Sequence, residues 1–251
     1  MGTLAVLVRD LTGEDERRVR DASTQSAVEL LARVVEWPAG ASCDAADLPA
    51  PDRDRLLAAV YRQAFGKKVE STGRCTSCGS PYDLTFLLDD LIAEVERSAA
   101  TSAAEPMGDG TFRTASGLRF RLPTARDEME VSSLPLEKAA LALASRCVVE
   151  SSNEEWQREL EEAIEEAAPV LDLDIETRCP ECAAKQVVRF DVQFYLLRAL
   201  EQERGRMLRE IHRIASVYGW SLQEILALGR SDRRALTELI ESDYSARRRS
   251  A

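Results

Sequence analysis

The chain has 251 residues, 45% apolar and 31% charged, which is enough for one large or two small domains of ordinary globular composition and unlike a disordered or fibrous protein. Its 44 acidic residues outnumber the 33 basic ones, and the net charge of −11 argues against nucleic acid as the main partner, because phosphate binding relies on clustered lysine and arginine. No apolar run approaches the roughly 18–20 residues of a membrane span, and the N-terminus lacks the pattern of a secretory signal, so we expect a cytoplasmic protein.

The first 96 residues alternate between helix and strand signals. LAVLVRDL predicts a strand, and Thr12 with the acids after it is typical of the start of a short helix. STQSAVELLARVV has the apolar stripe of a helix. The clearest helix is PDRDRLLAAVYRQAFG, with Pro51 in its first turn and Gly66 at its end. Strands are predicted on both sides of RCTSCG, followed by a helix over LLDDLIAEVER.

The middle of the chain opens with residues 97–110, whose small and polar composition is typical of a flexible linker. TFRTASGLRFRL alternates around a Ser-Gly pair and predicts a β-hairpin. Thr124 and Asp127 have the spacing of a capping box for a short helix. Further helices are predicted over 134–149 and over the acidic stretch 153–168.

The last part of the chain is predicted to be helical. After a second pair of strands, the longest helix is expected from about residue 193 to residue 217. Ser221 and Glu224 form another capping box, Gly229 ends that helix, and Ser231 is predicted to cap a final one. We therefore expect a long helix followed by two short ones.

Two stretches with paired thiols stand about a hundred residues apart. RCTSCGSPYDLTF and RCPECAAKQVVRF both read Arg-Cys-x-x-Cys followed by seven residues and a phenylalanine. The second stretch follows the first at an offset of 104 residues, and each lies in the order helix, strand, Cys pair, strand, helix. This pattern indicates a weak internal repeat. The candidate site residues are Cys75, Cys78, Cys179 and Cys182.

A structural metal is the chemistry that these thiols fit best. A redox Cys-x-x-Cys normally opens a helix, which lowers the pKa of one thiol, and a disulfide framework is disfavoured in a cytosolic chain. Two Cys-x-x-Cys turns between strands instead supply four thiolates, the tetrahedral set of a closed zinc site. We predict one structural Zn²⁺ per chain. Iron, a redox pair, and separate metals shared between chains stay open as alternatives.

The remaining candidates for chemistry are few. His212 is the single histidine, and a lone histidine on a helix is more often a packing or surface residue than a base. No glycine-rich phosphate loop occurs. Cys147 ends an apolar helical pattern and is interpreted as a small core residue, and Cys43 receives no role. We expect a protein that is not an enzyme.

The predicted fold class is α+β. It has a zinc-ribbon-like centre built from the two Cys-x-x-Cys knuckles, an inserted hairpin-plus-helix module and a helical C-terminal arm. The insertion accounts for the long separation between the two Cys pairs. The predicted boundaries are 1–96 for the first half, 97–150 for the linker and insertion, 151–192 for the acidic helix with the second knuckle, and 193–251 for the arm.

Three stretches resemble the baseplate hub assembly protein (assembly chaperone) family of T-even-like contractile phages and its relatives in bacterial contractile injection systems. They are the unit DRDRLLAAVYRQAFGKKVESTGRCTSCG, the pair FRLPTARDEMEV and LALASRCVV, and CPECAAKQVVRFDVQFYLLRAL with the block HRIASVYGWSLQEIL after it. The second knuckle departs from the family pattern, with Ala183-Ala184 where a glycine commonly follows the last cysteine. The resemblance implies a non-enzymatic role in building the baseplate hub, with hub, spike or tube proteins as partners, and a place in the cytoplasm or in the assembled particle.

Partner binding is predicted at Tyr218 and Trp220, since aromatic residues dominate interface energetics. Packing of both rings as core beneath the short helices is the alternative. The acidic helix at 153–168 either steers a basic partner or solvates a surface. Two other functions stay open: a zinc-ribbon adaptor in transcription or translation, and a Cys-x-x-Cys redox or metal-dependent enzyme.

Overall fold

The structure is a computed structural model that describes residues 5–99, 102–151 and 156–249. Parts of three predictions lie outside these ranges: the first residue of the LAVLVRDL strand, two residues of the 97–110 linker and the beginning of the acidic helix. Within the described ranges, none of the helices combines the length and the apolar character that crossing a membrane requires.

The first part of the chain contains four helices within its described residues, and the first three begin with a capping side chain or a proline. They are α1 (Gly13–Arg18), α2 (Thr24–Val34), α3 (Ala50–Phe65) and α4 (Leu88–Ala99), with a 3-10 turn at Ala45–Asp47. The strands are β1 (Leu7–Val8), β2 (Val35–Glu36), β3 (Lys68–Arg74) and β4 (Pro81–Leu87). β1 pairs with β2 and β3 with β4, both antiparallel. The strand predicted over LAVLVRDL is therefore much shorter than expected.

The second part follows with a larger sheet and longer helices. Its strands are β5 (Glu105–Pro106), β6 (Thr111–Arg113), β7 (Arg119–Arg121), β8 (Val148–Glu150), β9 (Asp172–Arg178) and β10 (Lys185–Asp191). Its helices are α5 (Ala125–Val131), α6 (Leu136–Cys147), α7 (Trp156–Ala167), α8 (Val192–Tyr218), α9 (Leu222–Ala227) and α10 (Arg230–Arg249). β5 to β8 form one antiparallel sheet in chain order, and β9 pairs with β10.

Three predictions about these elements are wrong. The final helix is not short, because α10 has 20 residues. Ser231 lies inside that helix and does not cap it; its amide and hydroxyl donate to the Asp10 carboxylate, 3.0 and 2.6 Å away. The 97–110 segment is also not linker throughout, since its first residues belong to α4 and Glu105–Pro106 pair with β6.

The internal repeat extends well beyond the thiol pairs. The order strand, short helix, helix, strand, helix, hairpin, helix runs once from β1 to α4 and again from β7 to α8. The strands β3 and β4 and their counterparts β9 and β10 keep the 104-residue offset. The segment from β7 to β8, predicted as part of an insertion, thus corresponds to the segment from β1 to β2. The two units differ mainly in the β5–β6 hairpin, which enlarges the second sheet.

Capping boxes begin the short helix of both units. In the first, the Thr12 hydroxyl accepts a hydrogen bond from the Asp15 amide, and the Asp15 carboxylate accepts one from the Thr12 amide. Thr124 and Asp127 make the same pair of bonds at the start of α5. An arginine on the preceding strand segment also donates to each aspartate. The sequence Arg-x-x-Thr-x-x-Asp-Glu is shared by both turns, 9–16 and 121–128.

The second of these turns docks at the start of α3. Pro49 and Thr124 form an isolated antiparallel bridge, and the Ala50 amide donates to the Pro123 carbonyl at 3.0 Å. The glutamate that ends the turn motif, Glu128, accepts a bond from Arg53 Nη1 at 2.5 Å. This contact joins the second unit to the first.

The first turn docks in the same way at the start of α10. Thr12 and Gly229 form the corresponding bridge, and the glutamate of this motif, Glu16, pairs with Arg233, four residues after the bridge. Arg230 also pairs with Glu16. The C-terminal arm is thereby attached to the N-terminal unit rather than extending freely.

The main apolar core lies between the two units. It contains the apolar faces of α2 and α3 together with the beginnings of α4 and α8, including Leu30, Leu57, Leu88 and Leu197, all essentially inaccessible. A separate cluster around Ile214 and Ile225 holds the C-terminal arm together. A third, beside β7, contains Cys147, which is buried as predicted.

Candidate metal centre

Each Cys-x-x-Cys segment forms a tight knuckle between two paired strands. In the first, the Cys75 amide donates to the Ser80 carbonyl at 2.9 Å, and the Gly79 amide donates to the Cys75 carbonyl at 2.9 Å. In the second, the Cys179 amide donates to the Ala184 carbonyl at 3.0 Å, with a 2.9 Å bond from Ala183 to Cys179. The strand pairing brings the chain back on itself, so both sulfur atoms of a knuckle face one side.

The two knuckles meet, and their four sulfur atoms form one cluster. All four Sγ atoms lie within 4.8 Å of one another. Cys75 Sγ is 3.6 Å from Cys182 Sγ, and Cys78 Sγ is 3.8 Å from Cys179 Sγ. All four cysteines are free; the first of each pair is buried and the second is exposed.

A tetrahedral metal fits this donor set. Four sulfurs at about 2.3 Å from one ion stand roughly 3.8 Å apart at the corners of a tetrahedron, which is the separation of the two cross-knuckle pairs. The cluster can therefore hold one metal ion within a single chain. All four positions around such an ion are filled by protein, as in structural sites, whereas catalytic sites keep one position open.

Backbone and hydroxyl donors stabilise the ionised form of the first pair. The amides of Cys78 and Ser77 lower the pKa of Cys75, and the Ser77 amide lies 3.3 Å from its sulfur. The hydroxyl and amide of Ser80 lower the pKa of Cys78 to about 6.

The fourth thiol is held protonated by its neighbours. The Ala184 amide lowers the pKa of Cys182, but the neighbouring thiols of Cys78 and Cys75 outweigh it and raise the pKa to about 12. Four thiols at this distance do not all ionise alone, because each thiolate repels the next. A bound cation would supply the compensating charge, since thiols that coordinate a metal are deprotonated.

Two side chains that the sequence did not single out hold the knuckles in place. Gln186 is 4% exposed, and its Oε1 accepts bonds from the amide and the hydroxyl of Thr76 across the two knuckles, at 3.0 and 3.2 Å. Tyr82 packs against Cys75, and its ring covers Gly73, where a Cβ atom would come within 2.9 Å of it. A lone glutamine and a lone tyrosine in alternating strands carry no motif that would have identified them.

Each knuckle has one residue with a left-handed backbone conformation, and this residue is a glycine in the first unit and an alanine in the second. Gly79 has φ = +75°, and its counterpart Ala183 has φ = +58°. An L-residue with a side chain is strained there by about 1–2 kcal/mol. Ala183 therefore strains the second turn, whereas Gly79 does not strain the first.

Replacing Ala183 with glycine should therefore stabilise the protein by about 0.5–1 kcal/mol after the entropy of glycine is subtracted. Gly79→Ala is the matched control and should destabilise by a similar amount, because no atom lies within 4 Å of its added Cβ and only the backbone conformation changes. Urea unfolding of both variants measures the difference. Shifts of the same sign in the two knuckles would contradict the strain argument.

The residues predicted to bind a partner lie away from the cluster. Tyr218 and Trp220 flank the end of α8, with ring centroids 5.2 Å apart and nearly parallel. They are 42% and 39% exposed, so neither is packed as core beneath the following helices. His212 and Cys43 are exposed as well and stand apart from the four thiols.

The fold and the site define a mixed α-helical and β-sheet protein in which two similar units meet at a cluster of four cysteines. Residues 5–194 match the model of the family described as T4 bacteriophage base plate protein. This match covers both thiol pairs and most of the chain, so the chain belongs to that family. The HRIASVYGWSLQEIL block lies beyond the matched residues. No curated protein and no solved structure matches the chain significantly.

Proposed function

We propose that this chain is a non-enzymatic structural or assembly component of the baseplate hub of a contractile phage tail or related injection particle, and that a structural zinc ion joins its two units. The observation that carries the proposal is a family match that includes both knuckles, together with the four sulfur atoms within 4.8 Å of one another. Zinc suits four thiolates in a tetrahedral set and adds no redox chemistry.

The role as a particle component is supported by the surfaces the chain offers. Tyr218 and Trp220 present exposed, stacked rings at the end of the long helix. Such rings supply contact area at little cost in conformational entropy. Hub, spike or tube proteins are the partners that this role requires, and the protein acts in the cytoplasm before or during its entry into the particle.

The two other functions receive less support. A nucleic-acid adaptor would need a basic surface, and the net charge is −11. A redox pair normally lies at the start of a helix, whereas each Cys pair here is followed by a strand, β4 or β10.

Particle assembly in cells that lack this gene tests the proposed role. Complete tails should be absent, the wild-type chain and Cys43→Ser should restore them, and Cys179→Ser should not. Cys43 is the matched control because it is exposed and lies outside the thiol cluster. Normal tails without the gene would refute the proposed role. Presence of the chain in purified particles would identify it as a permanent part, and its absence as a transient assembly factor.

A further inference from the structure

The two hairpins around the thiols are related by an internal twofold. Cys75 contacts Cys182 and Cys78 contacts Cys179, so each first cysteine meets the second cysteine of the other unit. The equivalent phenylalanines of the two units, Phe86 and Phe190, meet each other edge to face with centroids 5.1 Å apart. Reciprocal contacts of this kind are those of a twofold interface. A residue in one unit can therefore be compared with its counterpart 104 positions away.

In the second unit, the central phenylalanine is fully covered. Phe190 is 1% exposed, and the ring of Tyr195 from the first turns of α8 lies over it, with centroids 4.9 Å apart. The Tyr195 hydroxyl lies 3.3 Å from Ser71 Oγ, to which it donates.

In the first unit, the same position is open. Leu91 of α4 stands where the second unit has Tyr195, and its smaller side chain leaves Phe86 partly accessible. A groove of about 550 Å³ lies there, between Phe86, Leu87, Leu91 and Ile175. That volume is in the ordinary range of ligand pockets, on the order of 300–1,000 Å³. In the second unit, the space equivalent to this groove holds one aromatic ring, that of Tyr195.

The chemistry of the groove specifies the ring further. Ile175 on β9 of the second unit is the counterpart of Ser71, so a ring in the groove has no equivalent of the hydroxyl partner of Tyr195. The rim contains Asp90 and Glu94 on α4 and Lys68 on β3; Lys68 pairs with Glu70, and Glu94 pairs with Arg97. Asp90 is exposed and makes no ion pair among the residues that the structure describes, so its charge is available to a cation.

We propose that this groove docks a phenylalanine side chain of a partner protein, carried next to a lysine or arginine that pairs with Asp90. The docked ring lies on Phe86 as the ring of Tyr195 lies on Phe190, and the partner's cation pairs with Asp90 at the rim of the groove. This inference deepens the proposed role in a particle by naming a docking surface. It does not depend on the metal or on particle assembly, so its test can fail independently of theirs.

The test uses the full-length protein and the peptide acetyl-Lys-Ala-Phe-Ala-Lys-amide. A single ring with two flanking charges should bind with a dissociation constant of about 1 mM. It should shift the methyl NMR signals of Leu87, Leu91 and Ile175. The same peptide with alanine in place of phenylalanine, and one with glutamates in place of both lysines, should bind at least about tenfold more weakly. Equal binding of the alanine peptide, or shifts confined to other residues, would overturn the proposal.

Two variants separate the groove from other surfaces. Leu91→Tyr places in the first unit the ring that the second unit already has, and it should abolish the shifts while leaving the melting temperature unchanged or higher. Asp90→Lys, on an exposed position, should weaken the lysine peptide several-fold and strengthen the glutamate peptide. Unchanged peptide affinities in both variants would refute the groove as the binding site. If Leu91→Tyr folds poorly, Asp90→Lys still decides, because it alters only the surface charge.

Discussion

Cys179→Ser should remove one bound zinc per chain and most of the cooperative stability of the two hairpins. The remaining three thiols cannot complete a tetrahedral set, and the serine hydroxyl is a poor ligand beside thiolates. Because binding free energy at a structural zinc site is folding free energy, on the order of 10–16 kcal/mol at pH 7 in small zinc-binding peptides, its loss is comparable to the whole stability of a typical domain, about 5–15 kcal/mol. Elemental analysis and thermal melts, with and without a chelator, measure both effects.

The matched control is Cys43→Ser, which changes an exposed thiol outside the cluster. It should keep the metal and the melting temperature of the wild type. Two metals per chain would mean that the knuckles bind separately, contrary to their meeting within 4.8 Å. No metal in carefully reduced protein would refute the structural site and return the four thiols to redox chemistry.

The sequence predicted those features of the fold and of the metal centre that depend only on residues close together in the chain. The capping boxes at Thr12, Thr124 and Ser221 all form, because each needs only a hydroxyl and a carboxylate three residues apart. The knuckles follow from the same kind of information, since Cys-x-x-Cys between two strands fixes a turn. The 104-residue offset indicated that the two would be equivalent.

The remaining features depend on contacts between distant segments. Residues 119–150 were predicted as part of an insertion because the two Cys pairs lie so far apart in the sequence, although their elements follow the same order as those of 7–36. At the groove over Phe86, Leu91 and Ile175 stand where the other unit has Tyr195 and Ser71, and these differences are recognised only when the two units are compared through the twofold. The attachment of α10 to α1 likewise joins residues more than two hundred positions apart. No periodic pattern in the sequence records such a contact.

The buried charges at this attachment give the second large expected effect. Glu16 is 4% exposed and pairs with both Arg230 and Arg233, which are themselves buried. Glu16→Gln keeps the size of the side chain but removes its charge, and leaves two guanidinium groups with less compensation. Breaking a buried ion pair on one side costs about 3–5 kcal/mol. Urea unfolding followed by circular dichroism should show a loss of this size, and limited proteolysis should cleave the arm near α9 first.

Substitutions of two other glutamates give reference values for the stability cost of Glu16→Gln. Glu14, on the same helix, pairs with exposed arginines, and Glu14→Gln should change the stability little, because solvent screens such ion pairs. Glu128 makes the equivalent contact to Arg53 at 25% exposure and should fall between the two. Adding Arg233→Met to Glu16→Gln should recover part of the loss, because it removes a buried guanidinium group whose remaining ion-pair partner is Glu210, 3.7 Å away. Such coupling is typically about 0.5–3 kcal/mol. A cost for Glu16→Gln no larger than that of Glu14→Gln would mean that the apolar contacts around Ile225 hold the arm, and that the docking of the first turn follows from them.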